Sequence, residues 1–231
     1  MSMLTTSFVT ALLAHYFQNA DHANVGDATG LQNSTADGSI YWALHTTDPG
    51  DAGSQTTGEI AYTGYARAAV SRAGAAGFTV ASKNVSPAVT VSFGKRTDAG
   101  ASVSAMFFSL GSAVSGAGNL YARGGIGPAP QPFTAATSDT ITSYAHGLAV
   151  SDRVVFWQYE PGSLPTGLTE GTVYFVRTAP DANTFTVSTT DLGTTVDITA
   201  VGQGTCQKIT PIAVTQNVTP IIETGTTIKF Q

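Results

Sequence analysis

Apolar side chains recur at two different periods along this chain. Near the N-terminus Leu4, Phe8, Leu12 and Tyr16 return every four residues, with Val9, Leu13 and Phe17 beside them. That spacing keeps side chains on one face of a helix, so the pattern predicts a helix over about residues 4–18. Thr5 or Thr6 offers an N-cap hydroxyl, and Asn19 suits the C-terminal end. The stripe is wide and terminal, which leaves two readings open. One is a helix lying on a sheet; the other is an arm whose Leu4, Phe8, Leu12 and Tyr16 meet a neighbouring subunit.

After a polar, loop-like stretch at 21–38, the pattern changes to short apolar runs cut by Gly and Pro. Ile40–Leu44 reads as a central strand, stopped by the turn Asp48-Pro49-Gly50-Asp51. Tyr65–Val70, Phe78–Val80, Val89–Phe93, Ser104–Leu110 and Leu120–Ala122 follow as further strands. Short strands with frequent turns, and no helical crossover to join parallel ones, predict a mainly β protein. The expected form is an antiparallel β-sandwich or jelly-roll-like domain with one N-terminal helix.

Residues 127–133, Gly-Pro-Ala-Pro-Gln-Pro-Phe, read as a boundary. Beyond them Thr140–Ser143, Arg153–Gln158, Val173–Arg177, Thr184–Ser188 and Val196–Thr199 form a second series of short strands. After Gly202-Gln-Gly204 the earlier style returns in Pro211–Val214 and Thr226–Phe230. The sequence therefore predicts a host domain in two pieces, 1–131 and 206–231, with a small β domain inserted at 132–205.

Charge alters this picture more than length does. Of 231 residues only 11% are Asp, Glu, Lys or Arg, against roughly 25% in an ordinary soluble domain. Residues 99–122 and 124–138 carry no charged side chain. With 42% hydrophobic residues the chain is not of the highly charged, weakly hydrophobic type that stays disordered. A neutral, hydroxyl-bearing surface loses little when it is desolvated against a partner, because burying ions is the costly part of burial. Assembly is the expected role. The formal net charge of −5 and the lack of Lys/Arg clusters argue against direct contact with nucleic acid.

Candidate chemistry is sparse, and no catalysis is expected. Cys206 is the single cysteine, which precludes an intrachain disulfide and any paired-cysteine metal site. His15 and His22 lie seven residues apart, but the helix is expected to stop between them. His45 precedes Asp48 by three residues, yet no Gly-x-Ser-x-Gly elbow accompanies them, so a structural hydrogen bond at the strand end is expected. Asp48, Asp51 and Glu59 do not follow the spacing of a calcium loop, and Asp181 and Asn183 fit a self-stabilised turn. Ala73–Gly77 lacks the helix of a dinucleotide loop. No cofactor or metal is expected. No run of about 18 apolar residues offers a membrane span, and the N-terminus lacks the pattern of a secretory signal, so synthesis in the cytoplasm is expected. Trp157, Tyr159 and Tyr174 are the candidate exposed recognition patch, of a kind that meets sugars or proteins.

Two segments carry a likeness. Ile40-Tyr-Trp-Ala-Leu-His-Thr-Thr-Asp-Pro49, and then Gly58-Glu-Ile-Ala-Tyr-Thr-Gly-Tyr-Ala-Arg67, resemble a family of small tailed-bacteriophage virion proteins. Members are often labelled tail fibre proteins, and some resemble capsid cement or decoration proteins. The sequence keeps the pattern's Leu44, His45, Thr46, Asp48 and Pro49, with Thr47 where Ala is common, and its Glu59, Tyr62, Gly64, Tyr65, Ala66 and Arg67. Val91–Phe93, Phe107–Leu110 and Ala213–Phe230 fit the same body, so the likeness covers about 1–128 and 207–231. The pattern normally runs straight into its closing strands, whereas some 75 residues intervene here.

The resemblance implies a virion structural protein on the outer capsid surface. It would cement the major capsid lattice as a homo-oligomer (a dimer or trimer), with the inserted module outward. A tail- or fibre-associated part, or a carbohydrate-binding module on the virion, is the alternative. Within the pattern Arg67 is expected to pair with Glu59 or Asp48, Gly64 to mark a bulge or close approach, and Asp48-Pro49 to fix a turn.

Overall fold

The computed structural model describes residues 4–23, 25, 30–158 and 162–229. One helix, α1 (Thr6–Gln18), begins the fold. Thr5 caps it, its side chain accepting from the Phe8 N–H, and Asn19 ends it in the left-handed conformation.

Seventeen strands follow: β1 (Ser39–His45), β2 (Ala68–Ser71), β3 (Phe78–Ala81), β4 (Asn84–Pro87), β5 (Val91–Ser92), β6 (Val103–Ala105), β7 (Phe107–Gly111), β8 (Leu120–Gly125), β9 (Gln131–Ala135), β10 (Ile141–Thr142), β11 (Arg153–Trp157), β12 (Val173–Thr178), β13 (Thr184–Ser188), β14 (Gly202–Ile209), β15 (Ile212–Val214), β16 (Ile221–Ile222) and β17 (Ile228–Lys229). Every pairing is antiparallel.

The protein is mainly β, as its alternation and turn signals predict. A four-stranded sheet in the order β2-β1-β7-β8 forms the centre of the body. The small sheets β15-β6, β16-β5 and β17-β4-β3 complete it. Ile40, Trp42 and Leu44 of β1, with Phe108 and Leu110 of β7, pack one face of the large sheet into the main core. Phe78, Phe93 and Val214 meet them from the small sheets, and Val9, Leu13 and Phe17 from α1.

The second unit is a closed barrel, β10-β13-β12-β11-β14-β9. Phe133, Phe156, Tyr174, Phe185, Ile198 and Cys206 fill it. Burial raises the Cys206 thiol pKa above its ordinary value.

Several segments depart from the sequence reading. Ser104–Leu110 splits into β6 and β7 at Met106, whose N–H donates to the His45 carbonyl. Val196–Thr199 is not a strand, and only Thr195 bridges to Ser188. The end of the proline-rich boundary, Gln131-Pro-Phe133, lies in β9, and Gly202-Gln-Gly204 lies in β14. These two pair with one another across Gln131 and Cys206 to close the barrel. Pro132 is tolerated in β9 although it lacks an N–H for the ladder.

Candidate functional site

The second face of the central sheet carries the polar machinery. Ala43 and His45 of β1 and Phe107 and Ser109 of β7 point away from the main core, yet all four are buried. The loop from Thr46 to Arg67 folds back over part of this face. His45 Nδ1 donates to the Thr57 carbonyl at 2.9 Å, so Nε2 accepts from the Ser109 hydroxyl at 2.7 Å. A nucleophile–base pair has this geometry, but both residues are 0% exposed and a backbone carbonyl stands where an orienting carboxylate would be. Burial holds the His45 pKa below its ordinary value.

Arg67 lies at the centre of the loop. Its Nε and Nη2 donate to Glu59 Oε1 and Oε2, each at 2.7 Å. Its remaining N–H groups reach Gln55 Oε1 and the carbonyls of Ala113 and Gly116. All five donors of the guanidinium thus find acceptors, the condition for burying an arginine. Tyr65 donates to Glu59 Oε1 at 3.0 Å and accepts from the Leu44 N–H; its burial pushes the phenol pKa up. Tyr62, also raised by desolvation, is pushed up to about 12. Gly64 crosses close to Lys95: with φ +103°, a Cβ there would stand 2.2 Å from the Lys95 carbonyl oxygen.

Asp48 does not reach Arg67. Its Oδ2 accepts from Arg123 of β8, and it stands against Gly171 of the barrel, where any Cβ would meet Oδ2 at 2.1 Å. Pro49, buried beside it, carries the chain into the 50–53 turn. Arg123 also lies 3.7 Å from Glu170 and over the Trp157 ring, 5.3 Å from its centroid. Trp157 packs edge-on against Phe107 and donates to Gln207 Oε1, while Gln207 donates to the carbonyls of Gly125 and Pro128. Asp48, Arg123, Trp157 and Gln207 therefore join body to barrel, over a small apolar cluster of Phe107, Val155 and Ile209.

This junction corrects the expected recognition patch. Tyr174 is buried inside the barrel, edge-on to Phe156, because the inward side of β12 falls on Tyr174 and Val176. Phe175 takes the outward side, beneath the Arg153 guanidinium. Trp157 faces the body, and Tyr159 lies outside the described residues.

On α1 the two faces are distinct. Val9, Leu13 and Phe17 are buried, whereas Leu4, Phe8, Leu12 and Tyr16 are exposed. Tyr16 meets Tyr121 edge-on at 5.1 Å and lies under Arg72; Phe8 meets the His22 ring at 5.8 Å. Among the described residues, no group of three or more His, Cys, Asp or Glu could hold a metal ion.

Against known proteins, a family model described as podophage GP4 fiber I protein gp80 matches residues 6–151. The chain belongs to this family. The gp80 match runs from α1 through the whole central sheet into β9 and β10, and stops before β11. It spans the Ile40–Pro49 and Gly58–Arg67 segments and the network they build. The gp80 description is that of a phage virion structural protein, and it names a fibre, not a capsid cement. Neither a curated protein nor a solved structure matches the chain.

Proposed function

We propose that this chain is a tail- or fibre-associated structural component of a podophage-type virion and not an enzyme. The gp80-family match over well more than half of the chain carries this reading, and favours it over the capsid-cement role that the sequence resemblance also allowed. The Arg67–Glu59 and Asp48–Arg123 pairs are spent on holding loops and units together, and the one histidine–serine pair is sealed. What remains outward is largely neutral, with an apolar stripe of Leu4 and, on α1, Phe8, Leu12 and Tyr16 left partly exposed. That stripe is the face for a neighbouring virion subunit, and repeated copies make weak contacts sufficient.

Gold-labelled antibody against the purified chain, applied to intact virions, tests the location. Label at the tail, with a few tens of copies or fewer per particle, is the expected result. Label spread over the head at hundreds of copies would establish the cement role instead.

A further inference from the structure

A cleft of about 890 Å³ opens between the barrel wall and the sheet edge at β17, next to the β3–β4 turn. From the barrel come Thr134, Tyr144, Gln203 and Thr205; from the sheet edge come Lys83 and Lys229. Its size falls within the range of small-molecule sites. Three features set it apart.

The first is charge. Every arginine in this protein is engaged: Arg67, Arg96 and Arg123 by carboxylates, Arg72 and Arg177 by carbonyls, Arg153 by a ring. Lys208 is paired with Asp152, and Lys95 stands exposed away from this cleft. The ammonium groups of Lys83 and Lys229 have no carboxylate or hydrogen-bond partner among the described residues, and Lys229 pairs through its backbone with Asn84, next to Lys83. No acidic side chain lines the cleft among the described residues. A chain of net charge −5 thus places at one opening two lysines that have no partner among the described residues.

The second is Tyr144, 85% exposed on a turn that is itself fixed. Ser143 and His146 donate from their backbone N–H to the carbonyls of Asn183 and Ala182, and the Ala145 N–H donates to Asn183 Oδ1 at 3.0 Å. Ala145 is held at φ +48°, a conformation that costs a non-glycine residue about 1–2 kcal/mol. His146 is buried edge-on against Phe185, its Nδ1 accepting from the Leu148 N–H. These bonds hold the turn, and its aromatic ring stacks on no other ring among the described residues, the form of a preorganised contact surface.

The third is the lining between ring and lysines. It is neutral and mixed: amide and hydroxyl groups of Gln203, Thr134, Thr142 and Thr205 stand beside the apolar faces of Pro130, Pro132 and Phe133.

We infer that this cleft binds an acidic glycan: a sugar stacks on Tyr144, its hydroxyls meet Gln203 and the threonines, and its carboxylate or phosphate lies between Lys83 and Lys229. Single-stranded nucleic acid also combines an anion with a stacking base, but its affinity needs a positive track along several nucleotides, and the protein's acidity opposes a long polyanion. The sequence-based glycan patch at Trp157 and Tyr174 is spent inside the protein; this site uses different residues. It depends on no position in the virion, so its failure and that of the fibre assignment are separable.

The test is isothermal titration of the purified chain with oligosaccharides of polygalacturonate, hyaluronate and polysialate, with dextran oligosaccharides and a short oligothymidylate as controls. At least one acidic glycan is expected to bind, more weakly as salt is raised. The Lys83→Gln/Lys229→Gln double variant and Tyr144→Ala are each expected to weaken it about tenfold. All three positions are at the surface, and unchanged melting temperatures would show the variants folded. The inference is overturned if none of the three acidic glycans binds, if dextran or oligothymidylate binds as tightly, or if the folded variants bind like the parent.

Discussion

At Arg67 a guanidinium is held in the protein with each N–H satisfied by loop atoms, and Glu59 supplies two of the acceptors. Removing the cation leaves Glu59 and two loop carbonyls short of donors. Arg67→Ala is therefore expected to cost about 3–5 kcal/mol, the usual range for breaking a buried pair from one side, read as a shift in the urea midpoint. His45 makes a different demand. Its folded-state pKa is lowered by burial, so between that value and the unfolded value near 6.5 the unfolded chain binds a proton that the folded chain refuses. Stability is full above about pH 6.5 and falls as the pH drops through that window. His45→Gln, which titrates nowhere, should flatten the dependence of melting temperature between pH 7 and 5. An equally steep slope in the variant would assign it to other groups. The hydrogen-bonded carboxyls of Asp98 and Asp181, lowered chiefly by Arg96 and by the Thr184 hydroxyl, act only at lower pH.

At the scale of elements, α1 and β11 show how the two faces of an element can serve different ends. In α1 the inward face is core: Phe17 meets Phe78 edge-on at 5.2 Å. Phe17→Ala should cost about 3–5 kcal/mol. The Phe8→Ser/Leu12→Ser pair touches the exposed face, where substitutions stay within about 0.5 kcal/mol, and should instead lower the amount of the chain recovered in purified virions. Normal recovery would remove that face from the assembly contact. β11 alternates as any strand does, but both of its sides are covered. Phe156 fills the barrel, while Val155 lies against Phe107 of the body.

For the molecule as a whole, the point of interest is how two cores behave as one. The chain leaves the body after β8 and returns at β15, and the Thr210 N–H donates to the Ile126 carbonyl at that crossing. Trp157, wedged between Phe107, Arg123 and Gln207, is the largest side chain at the junction. Trp157→Ala is expected to cost about 3 kcal/mol and to separate the melting of barrel and body. Calorimetry should then show two transitions where the parent shows one; a single transition in the variant would mean that the coupling lies elsewhere.

The sequence by itself determined the local choices. Thr5 and Asn19 bound the helix, because a hydroxyl and a left-handed residue satisfy the free ends of its backbone ladder. The short apolar runs marked the mainly β class, and the Glu59–Arg67 segment marked a pairing that a buried charge requires. Alternation does not reveal that Trp157 and Tyr174 are covered, because it says which residues share a side but not what lies against it. The outer side of β11 is closed by β7, from a segment some 45 positions away in the chain, and Tyr174 is turned inward by the barrel's closure. β9 and β14 were hidden in proline- and glycine-rich stretches, since their strand character comes from pairing with each other. Lys83, Tyr144 and Lys229 are far apart in the chain and belong to no motif. Only the tertiary structure brings them to one opening, where two cations of a chain poor in charge stand without a partner among the described residues.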